Sequence, residues 1–308
     1  MSLRTPERIA FVINKGGCGK TSCAANVGGE FANAGYKVLL VSLDMQDNLA
    51  EELGYAFSDE PGDDGLALAQ SLMTGEPLEP ALTQVRPNLD VVTGGVALRQ
   101  ASRHLGGDDA DPTTLARALA HHTGYDFIIY DCPPGDLDVQ RAALVATDWA
   151  VVPAQIDAKS RKGIQLLATQ FQEAAVYNED LGLLGVVLFD VPTAGTRLLA
   201  ETRAFLSTEL AGAAPVFNAR IRTSKATARA ANERGLLVAE LANIGRPQWW
   251  KIRSGEAKDT QVPAVAAHVA QDYTDLTEEI LRTITYHRTG QHIPEPAPTD
   301  PSTAGVSS

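Results

Sequence analysis

Residues 9–22 read IAFVINKGGCGKTS, and this stretch decides the fold. The apolar run Ile9–Asn14 has the length and branched content of a strand buried on both faces. A glycine-rich turn follows at once, and a helical pattern, Lys20–Ala34, opens at its end. Strand, glycine loop and helix in that order make a cradle for phosphate. Glycines let main-chain N–H groups curl around the anion, and the helix N-terminus adds the positive end of its dipole. In such a loop Lys20 reaches the β- and γ-phosphates and the Thr21 hydroxyl ligates Mg²⁺. The expected nucleotide contacts are Gly16, Gly17, Cys18, Gly19, Lys20, Thr21 and Ser22, with ATP and Mg²⁺ as the ligands.

The same alternation continues along the chain. Strands are predicted at Lys37–Leu43, Asn88–Val92, Phe127–Tyr130, Trp149–Pro153, Leu183–Phe189 and Pro215–Asn218. Helices are predicted at Leu66–Thr74, Pro112–His122, Val139–Ala146, Ser160–Tyr177, Arg197–Leu210, Lys225–Arg234 and Ala264–Tyr286. This reads as an α/β fold, a doubly wound, mostly parallel sheet flanked by helices. The expected organisation is one phosphate-loop domain over residues 1–288, with 243–263 as an inserted loop or lid. A disordered, proline-rich tail is expected over 289–308. Phosphoryl transfer also needs a carboxylate for the metal and a group that positions water. Asp44, in VLLVSLDMQDNLA (38–50), and Asp131, in YDFIIYDCPPG (125–135), end predicted strands, where open α/β sheets place their ligands.

The loop departs from the pattern G-x-x-x-x-G-K-[ST], because Asn14 stands at its first glycine, whereas K-G-G-x-G-K-T fits throughout. With that lysine-initiated loop the chain resembles the deviant Walker A ATPases, which include ParA-type partition proteins, MinD, the nitrogenase iron protein and ArsA. Later segments are similar to the ParA branch. VLLVSLDMQDNLA resembles VLLIDLDPQGNAT, and YDFIIYDCPPG resembles YDYILIDCPPS. WAVVPAQ (149–155) matches a V-P-x-Q pattern, and ARAANERGLLVAEL (228–241) matches A-x-x-x-G-x-x-V-x-E-x. The resemblance covers residues 8–242.

This resemblance implies an ATP-dependent homodimer in which Lys15 reaches the partner subunit's phosphates. It makes Lys15, Lys20 and Asp44 catalytic, with Asp44 orienting the attacking water. Asp131 would act on Mg²⁺ through water, and Asp190 would lie near the adenine. The implied activity is slow ATP hydrolysis stimulated by a ParB-like centromere-binding protein, serving plasmid or chromosome segregation. Two departures stand out: Ser42 where the family usually has Asp, and Met45-Gln46-Asp47 where it has Pro-Gln-Gly. A positioning ATPase for another cargo, a protein compartment or a membrane-associated one, would share the chemistry and stays open. Membrane attachment of the MinD kind needs a terminal basic amphipathic helix. No basic residue follows Arg288, so a membrane partner is not expected.

The 308 residues carry 26 Lys+Arg against 38 Asp+Glu, a net charge of −12, which argues against a body coated with nucleic-acid-binding charge. That average conceals an asymmetry. Residues 217–258 hold nine basic and three acidic residues, a balance of +6 that leaves −18 for the rest. Residues 44–64 hold eight acids and no base. Arg220, Arg222, Lys225 and Arg229 in the basic segment are the candidate contacts for non-specific double-stranded DNA, a role the ParA resemblance supports. Cys18, Cys23 and Cys132 lack metal spacing and read as structural thiols in a reducing cytoplasm, with nucleoid association expected. The six histidines show no metal spacing either, and no role is expected of them. Trp249-Trp250, flanked by Arg246, Lys251 and Arg253, read either as a docked loop or as a patch for DNA or a partner. No apolar run reaches the roughly 18–20 residues of a membrane span.

Overall fold

The structure, a computed structural model, describes residues 5–156, 158–192, 196–210, 212–244 and 262–291. The expected lid and tail, Trp249 and Trp250 among them, fall largely outside the described residues. Eight strands form one sheet: β1 (Glu7–Phe11), β2 (Val38–Ser42), β3 (Leu82–Arg86), β4 (Leu89–Val92), β5 (Phe127–Asp131), β6 (Trp149–Ala154), β7 (Gly182–Val191) and β8 (Val216–Arg222). Their order is β3-β4-β2-β5-β1-β6-β7-β8. Every neighbouring pair is parallel except β3–β4. The sequence reading holds for the parallel strands and misses β3. That strand is a partly exposed edge containing Gln84 at a φ of 55°, so it lacks the apolar run that marks the buried strands.

Side chains alternate to the two faces, and each face has its own core. Ile9, Phe11, Val38, Leu40 and Ile129 pack against α1 (Lys20–Asn33), α2 (Leu49–Leu53), α9 (Lys225–Asn232), α10 (Val238–Asn243) and α11 (Ala266–Thr289). Ala10, Val12, Leu39, Val41, Ile128 and Tyr130 pack against α3 (Leu66–Thr74), α4 (Leu98–Leu105), α5 (Thr114–Ala118), α6 (Leu137–Val145), α7 (Ala158–Ala175) and α8 (Thr196–Glu209). The helices α2, α4 and α10, each no longer than eight residues, are absent from the sequence reading. None is long enough to show a clear 3.6-residue period.

The register positions the site. Asp131 sits level with Phe11 on one side and Ser42 on the other, so the loops leaving β1, β2 and β5 emerge side by side. β1 also lies where the chain reverses its direction of travel across the sheet, the crevice in which open α/β sheets bind ligands. At the far edge, Glu279 of α11 accepts the main-chain N–H groups of Asn218 and Ala219 at 2.8 and 2.7 Å. That interaction occupies donors that an edge strand otherwise offers to another chain. Among the described residues no helix is long and apolar enough to cross a membrane.

The 228–241 segment is locked to the end of α2 by backbone contact. Gly54 and Gly235 both have left-handed φ, 81° and 60°, and a Cβ on Gly235 would come within 2.2 Å of Gly54 Cα. Arg86 staples the same corner, donating to Leu53 O at 3.1 Å, Gly235 O at 2.9 Å and the Glu240 carboxylate at 2.5 and 3.0 Å. Gly235→Ala is therefore expected to destabilise the fold by about 2–3 kcal/mol. Urea unfolding should show a lowered midpoint at unchanged slope, and an unaltered midpoint would contradict this close approach.

Candidate active site

The loop between β1 and α1 is held open by its glycines. Gly17 and Gly19 have φ of 70° and 84°, and Gly19 caps α1. A Cβ at Gly19 would meet the Phe189 ring at 2.3 Å, so only glycine fits there. Lys20 is buried, and its Nζ donates to Lys15 O at 2.8 Å. Burial lowers its pKa, with Asp131 the strongest opposing influence. Lys15 is folded onto its own chain: its Nζ donates to Gln155 Oε1 at 2.7 Å, and Gln155 Nε2 donates to Gly17 O at 3.0 Å. Cys18 is buried beneath the loop. The Ser22 hydroxyl donates to Glu52 Oε1 at 2.5 Å and so ties α1 to α2.

The carboxylates divide into one that is gripped and one that is not. Asp44 is buried, and its Oδ1 and Oδ2 accept from Gln46 N at 3.0 Å and Asn48 Nδ2 at 3.2 Å. Asp131 is 1% exposed, yet neither carboxylate oxygen has a hydrogen bond of normal geometry. Burial pushes its pKa up to about 7, against the opposing pull of the Thr21 hydroxyl and the Lys20 ammonium. Buried polar groups in folded proteins are almost always partnered. An unpartnered carboxylate beside a threonine hydroxyl is the hard-oxygen donor set that suits a hydrated Mg²⁺. These residues fit that ion.

A cavity of about 210 Å³ extends from the loop, lined by Gly17, Gln155, Phe189, Asp190, Arg222 and Lys225 among others. Asp190, in left-handed conformation at the end of β7, lines this cavity together with Gly17 of the loop. The four basic candidates separate. Arg222 lines the cavity and is clamped by Asp272 of α11, through Nε at 2.7 Å and Nη2 at 2.6 Å. Lys225 shares that wall with its side chain exposed. Arg229 is exposed and paired with Glu233 at 2.7 Å. Arg220 is exposed on β8 near Arg203, whose pKa is lowered by burial and then by Arg220 itself.

Some participants were not singled out in the sequence. Gln155 lay within the V-P-x-Q pattern without a role. Asn48 lay within the segment 38–50 without a role, and Tyr55 lies outside every quoted motif. Burial pushes the Cys23 and Cys132 thiols well up, so they stay protonated. Beyond spacing, the fold does gather His121 and His122 with Glu79, the one group of three potential metal ligands among the described residues. His121 Nε2 meets Glu79 at 2.9 Å and His122 Nε2 meets Leu78 O at 2.6 Å. These interactions pin the chain around residue 79 to the segment just before β5, at the end of the sheet opposite the loop.

Comparison with known proteins agrees with this geometry. A sequence model of the AAA domain matches residues 6–183, more than half of the chain. Soj of Thermus thermophilus, a chromosome-partitioning ATPase, is 35% identical over 198 residues, covering 63% of this chain and 73% of that one. Soj of Bacillus subtilis, a sporulation initiation inhibitor protein, is 34% identical over 183 residues, covering 58% and 71%. Among solved structures, apo McdA of Cyanothece superposes with a TM-score of 0.68 at 20% identity, over 89% of this chain and 99% of McdA. Cobyrinic acid a,c-diamide synthase of Mycobacterium smegmatis, with ADP and magnesium bound, gives 0.67 at 21%, over 96% and 100%. At such identities the two structures speak for the fold, and the Soj sequences speak for the family. The chain belongs to the Soj/ParA family of partition ATPases, built on a phosphate-loop fold.

Proposed function

We propose that this protein is a DNA-partition ATPase, active in the cytoplasm on the nucleoid. Its ATP-bound homodimer binds double-stranded DNA without sequence preference, and a ParB-like partner stimulates hydrolysis and release. Residues 1–288 form the ATPase domain. The observation that carries the reading is the buried, unpartnered Asp131 beside Lys20 at the mouth of the glycine loop.

Each residue then has a physical task. Main-chain N–H groups of 16–22 bind the phosphates, and Lys20 leaves Lys15 O to place its ammonium against them. Thr21, and Asp131 through water, hold Mg²⁺, which would offset charge on the phosphate oxygens. Asp44 orients the attacking water. Gln46 and Asn48 fix its carboxylate while each oxygen keeps acceptor capacity for that water. Lys15, drawn onto Gln155 in the free chain, completes the site only when a second subunit presents its phosphates. This accounts for slow turnover without a partner. Asp190 borders the cavity where the base would lie. Arg220 and Lys225 are exposed and supply DNA contacts. Arg229 joins them from its surface pair, whereas Arg222, matched by Asp272, chiefly shapes the cavity wall.

Three measurements check this. Asp44→Ala should lower partner-stimulated kcat by about 100-fold or more while ATP still binds. An unchanged stimulated rate would remove Asp44 from the mechanism.

Asp131 is raised from its ordinary 3.8 to about 7, and Asp47, Glu52 and Asp148 are also raised by burial. The folded protein holds protons that the unfolded chain releases. That contribution is fully present below 3.8 and lost as pH rises through about 7. Nucleotide-free protein should accordingly resist urea better at about pH 5.5 than at about pH 8, and a flat profile would count against the buried carboxylate.

For DNA, Arg220→Ala or Lys225→Ala should weaken binding to all sequences alike. Each should also make the dependence of log affinity on log salt shallower, by about 1 in slope for every phosphate that is no longer neutralised. Failure of the ATP-bound protein to bind any duplex at low salt would defeat this part of the reading.

A further inference from the structure

The turn after β2 is built around a residue in an unfavoured conformation. Asp47 has a φ of 44°, a region that non-glycine residues enter at a cost that other contacts must offset. Its carboxylate is held. Tyr55, 4% exposed, donates its hydroxyl to both Asp47 oxygens at 3.0 Å. The buried Ser42 hydroxyl and the Gly94 main-chain N–H lie close enough to pull the Asp47 pKa down against the stronger upward push of burial. The backbone is tied in as well, with Asp47 N donating to Asp44 O at 3.1 Å and Ala50 N donating to Asp47 O at 2.9 Å. Asp44 O also accepts from Gly95 N at 3.1 Å.

We infer that Asp47 is a positioning residue for Asp44, its carboxylate anchoring to Tyr55 the turn that presents the Asp44 carboxylate. The inference rests on the reading of Asp44 given above. The left-handed turn at 47 places residues 46 and 48 on either side of it, and these two supply the donors to the two Asp44 oxygens. Releasing Asp47 frees the turn that carries both donors. The arrangement also makes sense of the two departures from the resembled segment, which carries Asp at 42 and Gly at 47. Ser42 is wholly buried and lies in register beside Asp131. In this chain the acid sits five residues later, next to a tyrosine hydroxyl, and Ser42 faces it as a small neutral group. Glycine would be the unstrained residue at φ 44°, so a merely tolerated aspartate predicts that Asp47→Gly is harmless.

The test is steady-state ATPase with the full-length chain and its stimulating partner, together with binding of a fluorescent ATP analogue. Asp47→Gly should lower kcat about tenfold while KM and analogue affinity stay within about twofold. Tyr55→Phe, which keeps the ring in the core, should lower kcat by about threefold in the same pattern. The exchange variant Ser42→Asp/Asp47→Gly should recover most of the missing kcat, because it restores a carboxylate to the corner. The inference is overturned if Asp47→Gly and Tyr55→Phe both leave kcat at the parent value, or if the exchange variant is no faster than Asp47→Gly. Asp44→Ala run in parallel separates the two failures. If it abolishes hydrolysis while Asp47→Gly does not, only the positioning role is removed. If it too is without effect, the assignment of Asp44 falls and the role of Asp47 with it.

Discussion

A carboxylate buried with no hydrogen-bond partner is the constraint around which this molecule is arranged. Asp131 ends the central strand β5, in register with β1 on one side and β2 on the other. Burial pushes its pKa up to about 7. The Thr21 hydroxyl and then Lys20 oppose that push and fall short of it, Lys20 being itself buried and donating its ammonium to a loop carbonyl. An isolated buried charge is tolerated only when the rest of the fold supplies the stability to offset it. Here the two cores on either face of the sheet supply it, and they hold β1, β2 and β5 level so that the strain lands at one point. On the proposed reading, binding that adds a cation and an anion together would relieve both groups at once.

Much of this was legible in the sequence, for a definite reason. The run 9–22 encodes strand, turn and helix in consecutive residues, and Ile9–Ile13 are wholly buried, so the apolar character of that run has no interruptions. Asp44 and Asp131 could be read because they sit at strand ends, where periodicity itself points. What escaped was whatever depends on long-range contact. β3 is an edge strand none of whose side chains is fully buried, and Leu82 and Arg86 meet β4 across a register shift. The link between Lys15 and Gln155 spans 140 positions, and the clamp of Arg222 by Asp272 spans 50. Counting charge along 217–258 therefore overstated its freedom. A net excess of cations in sequence becomes a smaller excess in space once α11 folds back and Asp272 claims Arg222.

The same folding back explains how an acidic chain keeps one anion-facing region. α11 carries Asp272 and Glu279 to β8, where the first neutralises an arginine and the second covers main-chain donors. Among the described residues on that side, Arg220 and Lys225 are exposed, and Lys225 shares its cavity with Glu52 of the acidic 44–64 segment. Proximity of Arg203 to Arg220 means that two guanidinium groups repel one another there, and repulsion between fixed cations is relieved by an anion lying across them. On the proposed reading, position rather than total charge would favour a polyanion on this surface.

On the proposed reading, the link between Lys15 and Gln155 decides why nucleotide must govern assembly. Lys15 is satisfied within its own chain, by an acceptor that in turn holds Gly17 O. A second subunit without phosphate offers nothing better, so exchanging one hydrogen bond for another gives no net drive. A triphosphate changes that balance, because an ammonium binds multiply charged phosphate far more strongly than an amide oxygen. Withdrawal of Lys15 also frees Gln155 from half of its bridge and loosens the grip on Gly17, at the phosphate loop. Assembly and loop geometry are then coupled through one side chain, and differential affinity of the two states for ATP follows from that coupling.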